Sequence, residues 1–146
     1  MAYSHIAHDC IIGNDIIISN AVQIGGHVEI DDFAIIGGST PIHQFCKVGK
    51  YSMIGGGLRV IHDIPPYILA QGEPLRYTGI NRIGLKRNKL SDESINRIKN
   101  IYRDIFKEGL SREEYIAFII KKYNKSTELD EIVNFIKNSK RGIIKS

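Results

Sequence analysis

Aliphatic residues recur at every sixth position through the first part of the chain. A helix repeats about every 3.6 residues and a simple strand every two, so neither produces a period of six. Short flat strands joined by tight corners, three to a coil, do produce it. The pattern therefore predicts a triangular parallel β-helix, in which β-branched side chains stack inside the prism from coil to coil. The series runs without a miss at Ile6, Ile12, Ile18, Ile24, Ile30, Ile36, Ile42, Val48, Ile54 and Val60.

The position after each aliphatic residue is usually small and often glycine. We expect glycine there because the chain turns a corner or approaches a neighbouring coil closely. The residues that hold this position are Ala7, Gly13, Ser19, Gly25, Gly37, Gly49 and Gly55.

Three hexads make one coil, so residues 6–65 supply a little over three coils. That number is close to the minimum for a stable stack, and the first coil would leave an aliphatic strand edge bare. The array stops at Pro65 and Pro66, because proline has no amide N–H for the ladder of hydrogen bonds. We therefore expect residues 1–66 to be the C-terminal coils of a longer array.

The sequence after the array divides into two parts. Residues 67–90 contain scattered glycine and proline and are predicted to form an irregular connection. Residues 91–146 show apolar spacing typical of helices, and we expect a small α-helical C-terminal domain there.

Three helices are predicted within this domain. The first begins at Ser91 and is closed by Gly109. Ser111 opens a capping box for the second, which runs to about Tyr123. The third contains Leu129, Ile132, Val133, Phe135 and Ile136, and ends before Gly142.

Composition indicates in which cellular compartment the protein is found and whether it spans a membrane. No apolar run approaches the roughly 20 residues of a membrane span, and the first residues lack the basic and apolar regions of a signal peptide. The chain has only two cysteines, whereas secreted small domains are usually rich in disulfides. We therefore expect a cytoplasmic protein without a membrane span.

Charge is distributed unevenly along the chain. Residues 1–65 carry three basic and six acidic side chains, and residues 66–146 carry 17 basic and 10 acidic ones. A basic C-terminal half favours an acidic partner, such as a nucleic acid, a phosphorylated ligand or an acidic protein. A solvated helical surface would explain the same imbalance.

Four of the five histidines fall in hexads one coil apart: His8, His27, His43 and His62. Stacked coils lie roughly 4.8 Å apart, so the sequence predicts a row of imidazoles along one side of the prism. Asp9 follows His8 directly and is placed to orient a general base. Two other interpretations remain open: hydrogen bonding at a trimer interface, and zinc bound by histidines of neighbouring chains.

Cys10 and Cys46 lie six hexads apart in the sequence. That separation is two coils, or roughly 9–10 Å along the axis, whereas a disulfide needs Cα atoms within about 7 Å. Both cysteines are therefore expected to be small packing residues.

Several short motifs resemble the UDP-N-acetylglucosamine O-acyltransferases that begin lipid A synthesis. Their order and spacing match over nearly the whole chain and over about the C-terminal half of a typical member. The resemblance implies a left-handed coil, which periodicity alone does not. The motifs are His5-Ile6-Ala7-His8-Asp9-Cys10, Gly25-Gly26-His27-Val28, Ile42-His43-Gln44-Phe45-Cys46, Pro65-Pro66-Tyr67, Ala70-Gln71-Gly72, Gly79-Ile80-Asn81, Gly84-Leu85-Lys86-Arg87 and Arg141-Gly142.

The resemblance implies transfer of a 3-hydroxyacyl chain from acyl carrier protein to the 3-hydroxyl of the sugar. His8 matches the family's general base, Asp9 its orienting carboxylate and Gly26 its oxyanion donor. Gly56 matches the position that measures acyl length, and metal and cofactor are not implied. Substrate contacts are implied for His5, His27, His43, Gln44, Asn81 and Arg87.

The resemblance also implies a homotrimer whose basic helical tail binds acidic carrier protein rather than nucleic acid. Three alternatives are retained: a non-catalytic trimerising fragment, the related UDP-3-O-acylglucosamine N-acyltransferase, and a zinc-dependent hydratase.

Overall fold

The structure is a computed structural model that describes residues 1–107 and 109–146. Nine two-residue strands follow one another at intervals of six residues and pair in parallel with those of the next coil, for example Ile6 with Ile24 and Ile24 with Ile42. The predicted parallel β-helix is therefore confirmed. The strands are β1 (His5–Ile6), β2 (Ile11–Ile12), β3 (Ile17–Ile18), β4 (Gln23–Ile24), β5 (Glu29–Ile30), β6 (Ile35–Ile36), β7 (Pro41–Ile42), β8 (Lys47–Val48) and β9 (Met53–Ile54).

The strands form three sheets, one on each side of the prism. The first contains β1, β4 and β7, the second β2, β5 and β8, and the third β3, β6 and β9. We name the three corners by their side chains. The histidine corner, between the first and second sheets, comprises residues 7–10, 25–28 and 43–46. The aromatic corner, between the second and third, comprises residues 13–16, 31–34 and 49–52. The glycine corner, between the third and first, comprises residues 19–22, 37–40 and 55–58.

The aliphatic positions fill the interior of the prism as predicted. Ile24 and Ile36 are 1% and 0% exposed, whereas Ile6 of the first coil is 44% exposed. A buried isoleucine contributes about 1.5–3 kcal/mol through removal of its surface from water. Burial of the inward residues therefore contributes to the stability of the stack.

Each corner is turned by a residue with positive φ, and glycine is not the usual choice. Asp9, His27 and Phe45 turn the histidine corner with φ of 58°, 58° and 66°. A left-handed conformation costs a non-glycine residue roughly 1–2 kcal/mol. The prediction that glycines turn the corners is therefore wrong at these positions. The other non-glycine residues of this series are Tyr3, Asp15, Ala21, Phe33, Ser39 and Tyr51.

The glycines after the aliphatic positions allow neighbouring coils to approach closely. This confirms the second reason for which glycine was expected there. A Cβ built on Gly37 would lie 2.4 Å from the Gly56 nitrogen, and one on Gly49 would lie 2.4 Å from the Pro66 nitrogen. Both contacts are with backbone, which has no rotamer by which to move away. Glycine is needed there because the next coil leaves no room for a methyl group.

Aromatic stacking supports the aromatic corner. The rings of Phe33 and Tyr51 lie 4.8 Å apart, and those of Tyr51 and Tyr67 lie 5.9 Å apart. Such pairs contribute about 0.5–1.5 kcal/mol beyond the burial of their surface. Stacking offsets part of the conformational cost of the positive φ angles at this corner.

The segment 67–90 is regular, so the prediction of an irregular connection is wrong for most of it. Strand β10 (Ile68–Gln71) pairs in parallel with β9 and antiparallel with β11 (Arg76–Ile80), and helix α1 (Arg82–Arg87) follows. Ala70 pairs with Ile54 before a full coil has been completed. The strand was missed because the last turn of the coil is shorter than the repeat.

The three predicted C-terminal helices are confirmed. Ser91, Ser111 and Ser126 act as N-caps, each accepting a hydrogen bond from the backbone three residues on. Among the residues described, no helix is long and apolar enough to span a bilayer. The helices are α2 (Asp92–Ile105), α3 (Arg112–Lys122) and α4 (Thr127–Lys137).

Asp63 joins the end of the coil to the C-terminal segment. Its carboxylate accepts hydrogen bonds from the Lys47 N–H at 2.8 Å and the Ser139 hydroxyl at 2.5 Å. Its backbone oxygen accepts from the Ile144 N–H at 3.0 Å. Because Asp63 is only 1% exposed, these bonds are what makes burial of its carboxylate tolerable. They hold the segment around Ser139 and Ile144 against the last coil.

Candidate active site

His8 and Asp9 form a hydrogen-bonded pair on the histidine corner. The Nδ1 atom of His8 lies 2.9 Å from Oδ2 of Asp9, and the two side chains are 73% and 68% exposed. Neighbouring residues on a straight strand would point to opposite faces. They meet here because Asp9 turns the corner with φ of 58°. An exposed imidazole with a carboxylate on one nitrogen and solvent on the other suits a general base.

His27 completes a small cluster with this pair. It lies one coil beyond Asp9, and its N–H donates to the His8 oxygen at 3.0 Å. Its Nε2 atom lies 3.8 Å from the same Asp9 Oδ2. The rings of His8 and His27 meet edge to face, with centroids 5.1 Å apart.

The two histidines stabilise the ionised form of Asp9. The hydrogen bond with His8 and then the charge of His27 lower the pKa of the Asp9 carboxyl below its usual value. A lowered pKa keeps the carboxylate charged to a more acidic pH than an isolated aspartate. Asp9 is therefore able to accept the Nδ1 proton of His8 in a hydrogen bond and leave Nε2 as the basic atom.

Gly26 lies one coil beyond His8 and borders its ring. A Cβ at this position would be 2.8 Å from Cε1 and 2.9 Å from Nε2 of His8. Any side chain here would push the imidazole away, so glycine leaves room for the ring in this position. Among residues 1–107 and 109–146, the Gly26 N–H has no hydrogen-bond acceptor. A free N–H beside a base is what an oxyanion donor requires.

The predicted row of imidazoles along one side of the prism is formed only in part, by the contact between the rings of His8 and His27. In the described part of the chain, the column continues from His27 to Phe45, whose ring stacks on it at 4.8 Å. The Nδ1 atom of His43 lies 3.1 Å from the Gln44 oxygen, and that of His62 lies 3.2 Å from the Arg141 oxygen. The four histidines do not all share one position within their hexads, so stacking does not bring all of them together.

The other residues proposed from the sequence are divided among the three corners. His5, His43 and Gln44 are on the same side of the prism as His8. Asn81 lies at the aromatic corner, where its Nδ2 donates to the Tyr51 oxygen at 3.0 Å. Gly56 lies on the glycine corner and is exposed.

Asn81 and Arg87 flank helix α1. Asn81 is 6% exposed, and its side-chain oxygen accepts from the Gly84 N–H at 3.2 Å, which caps the helix. Both polar atoms of this amide are therefore engaged within the chain. Arg87 ends the helix and is exposed.

No single corner holds all of these groups. A prism side of six residues is at most about 20 Å long, and one such side separates each corner from the next. Two clefts of 430 and 530 Å³ exist in the described part of the protomer, and His8 lines neither of them. Within one protomer, the side chains of His8 and Asp9 are 73% and 68% exposed, so the pair faces solvent.

Cys10 and Cys46 are free thiols, as expected. Cys46 is fully buried, and burial raises the pKa of its thiol to about 11. Because the thiolate is the reactive form, Cys46 is a packing residue without nucleophilic chemistry.

The contacts of Phe45 were not predicted from the sequence. Phe45 lies one full coil after His27, and that spacing was the available signal for stacking. The contact between His27 and Asp9 follows from the same spacing, which joins each residue to its neighbour one coil away.

A coil of six-residue repeats, here with a histidine–carboxylate pair on one corner, defines a hexapeptide-repeat protein. The family model described as UDP N-acetylglucosamine O-acyltransferase, domain 2, matches residues 63–144. The chain belongs to this family.

Curated relatives are similar over almost all of this chain. The acyl-[acyl-carrier-protein]–UDP-N-acetylglucosamine O-acyltransferase of Aliarcobacter butzleri is 45% identical over 143 residues, which are 98% of this chain and 55% of the relative. The enzyme of the same name from Thiobacillus denitrificans is 41% identical over 145 residues, 99% of this chain and 56% of the relative. The chain thus spans about half the length of the curated relatives that it matches.

Solved structures agree with the fold. The UDP-N-acetylglucosamine acyltransferase of Bacteroides fragilis is 47% identical with a TM-score of 0.95, covering 98% of this chain and 56% of that one. The Campylobacter jejuni acyltransferase is 37% identical with a TM-score of 0.92, covering 100% and 57%.

Proposed function

We propose that this chain supplies the C-terminal half of an enzyme that transfers a 3-hydroxyacyl group from acyl carrier protein to the 3-hydroxyl of UDP-N-acetylglucosamine. The observation that carries the proposal is the His8–Asp9 pair beside the free N–H of Gly26. The names of the relatives supply the substrates. A cytoplasmic location goes with these substrates.

The reaction needs a base and a donor for the oxyanion. Nε2 of His8 takes the hydroxyl proton while the sugar oxygen attacks the thioester carbonyl. The Gly26 N–H stabilises the negative oxygen of the tetrahedral intermediate. The carbon–sulfur bond then breaks, and the His8 imidazolium gives its proton to the leaving thiolate, which departs as the thiol of acyl carrier protein. Asp9 stabilises the imidazolium during this cycle.

The remaining residues proposed from the sequence would bind the substrates. His5, His27, His43 and Gln44 lie on or beside the histidine corner, where they would line the cleft around the reacting atoms. Arg87 is exposed at the end of α1, where it would contact the sugar nucleotide. Asn81 would contribute mainly by capping the helix that presents Arg87. The basic residues of 66–146 suit docking of an acidic carrier protein.

A direct test is an acyl-transfer assay with a longer protein. In that protein, this chain is preceded by the other half of the length that its relatives have. Mass spectrometry should find an ester at the 3-hydroxyl of UDP-N-acetylglucosamine. An amide formed only with a 3-O-acylated glucosamine would favour the related N-acyltransferase. Absence of transfer by a folded protein would leave the non-catalytic trimerising role.

The chain is expected to form a trimer. Its histidine, aromatic and glycine corners carry different parts of the proposed site, and three-fold packing brings unlike corners of neighbouring subunits together. Analytical ultracentrifugation at micromolar concentration should give three times the chain mass of 16.4 kDa. A stable monomer under these conditions would contradict both the assembly and a cleft shared between subunits.

Gly56 is expected to set the depth available to the acyl chain. It lies eight hexads beyond His8 in sequence, which is two and two-thirds coils and roughly 13 Å along the axis. A Gly56→Met substitution should shift preference toward shorter acyl donors, because the added side chain fills the far end of the cleft. Competition between carrier-bound chains of different lengths measures the shift.

Gly56→Ala is the control for this experiment. Its Cβ would lie 3.1 Å from the Gly38 oxygen, so both variants place the same atom against the neighbouring coil. Only the methionine reaches into the cleft. If a folded, active Gly56→Met protein has the same acyl-length selectivity as its parent, Gly56 does not limit the length of the acyl chain.

A further inference from the structure

We propose that His8, Asp9 and His27 form a binding site for one divalent ion of the zinc class, and that the bound ion prevents His8 from acting as a general base. Binding itself is independent of the proposed acyl transfer. Only the effect on the base rests on the proposed function.

The ligand atoms lie at distances close to those of a coordinated ion. One atom from each of the three side chains lies within 4.8 Å of the others. Zinc binds nitrogen and oxygen at about 2.0–2.2 Å, so two ligands of a tetrahedral ion are about 3.3–3.5 Å apart. The Asp9 oxygen lies 2.9 Å from one imidazole nitrogen and 3.8 Å from the other. The first distance is shorter and the second longer than this range by less than about 0.5 Å.

The backbone and a stacked ring hold the cluster in place. His27 is joined to the preceding coil by its N–H, which donates to the His8 oxygen at 3.0 Å. Phe45 stacks on the His27 ring with an interplanar angle of 9°. A site whose ligands are held in this way loses little conformational entropy when the ion binds.

The donor set and its exposure suit a catalytic-type zinc geometry with an open position. Two imidazoles and one carboxylate are among the ligands that zinc prefers. The side chains of His8, Asp9 and His27 are 73%, 68% and 43% exposed. Water is therefore able to complete the coordination.

A bound ion would change the tautomer of His8. Without metal, the Nδ1 proton of His8 lies against Asp9 and the lone pair of Nε2 is free to accept the substrate proton. An ion between Nδ1 and Asp9 takes the Nδ1 lone pair, so the neutral ring must carry its proton on Nε2. An Nε2 that already carries a proton cannot act as the base.

Zinc and cobalt titrations of the purified 146-residue chain test the site. Calorimetry with Zn²⁺ should show one ion per chain, and Co²⁺ should give the visible absorption of a low-symmetry nitrogen–oxygen site. His27→Asn and Asp9→Asn should each weaken Zn²⁺ binding at least about tenfold. Asparagine is chosen because it adopts the left-handed conformation of both positions more readily than most residues. Circular dichroism checks that each variant is folded.

His62→Gln is the matched control. His62 is a histidine of the same chain, and its Nδ1 lies beside the Arg141 oxygen, away from the cluster. Zinc binding should be unchanged in this variant. Loss of binding in His62→Gln, or undiminished binding in folded His27→Asn, would overturn the site.

The effect on the base is measured separately in the catalytically complete enzyme. Saturating Zn²⁺ should abolish most of the turnover, and a chelator should restore it. If zinc binds through His27 and turnover is unchanged, the bound ion does not prevent His8 from acting as the base. A protein that binds zinc in this way but transfers no acyl group under any condition would refute the proposed function and leave the metal site standing.

Discussion

A His8→Ala variant of the catalytically complete enzyme is expected to lose roughly 10²–10⁴-fold in turnover, which is the usual contribution of a positioned general base. The loss should fall on kcat more than on KM, because the imidazole acts on the proton in the transition state. Steady-state assays with acyl carrier protein thioester and the nucleotide sugar measure both constants.

Two further variants separate the base from its surroundings. Asp9→Asn removes the charge that orients and stabilises His8 and should cost less than removal of the base itself. His62→Gln changes a histidine outside the cluster and should leave turnover near that of the parent. Wild-type turnover in His8→Ala, or abolition of activity by a chelator, would contradict the assignment of His8 as a metal-free base.

A Gly37→Ala variant is expected to lose about 3 kcal/mol of folding free energy, at the upper end of the usual range for overpacking. The added Cβ would lie 2.4 Å from the Gly56 nitrogen and 2.7 Å from the Gly55 carbonyl carbon. Both atoms belong to the next coil, so relief requires two coils to separate. For a chain of this size, the loss corresponds to a fall of about 6–12 °C in the thermal unfolding midpoint.

Gly38→Ala is a closely matched control, since it adds the same methyl group one residue later. Its Cβ would lie 3.4 Å from the Asn20 oxygen and 3.9 Å from Ser19, which are ordinary contacts. Calorimetry or circular dichroism should place this variant within a few degrees of the parent. Equal midpoints for the two variants would show that the coils move apart more easily than the structure implies.

The coil was predictable from the sequence because its driving force is local and periodic. Each inward residue, such as Ile24 or Ile36, meets the same environment one coil later, so the hydrophobic pattern alone specifies the prism. The capped helices were predictable for a similar reason, since Ser91 and Ser111 act on backbone within their own first turn. The His8–Asp9 pair was suggested by adjacency in sequence.

Other features depended on contacts that a six-residue period does not encode. Strand β10 was missed because the last coil is shortened, so that Ala70 pairs with Ile54 ahead of the position that the repeat predicts. The conformation of the corners was also mistaken. Their positive φ angles fall on residues such as His27 and Phe45, where stacking offsets part of the strain that glycine would have avoided.

The sequence by itself determined the repeat, the inward residues and the helical tail, and it supplied the candidate site residues. Only the tertiary structure decided which of those residues meet. His27 contacts the His8–Asp9 pair, whereas His43 and His62 lie beside backbone oxygens instead. The physical reason is that stacking acts between corresponding positions of successive coils. A shift of one residue within the hexad therefore moves a side chain such as that of His43 out of the cluster, even though it stays on the same side of the prism.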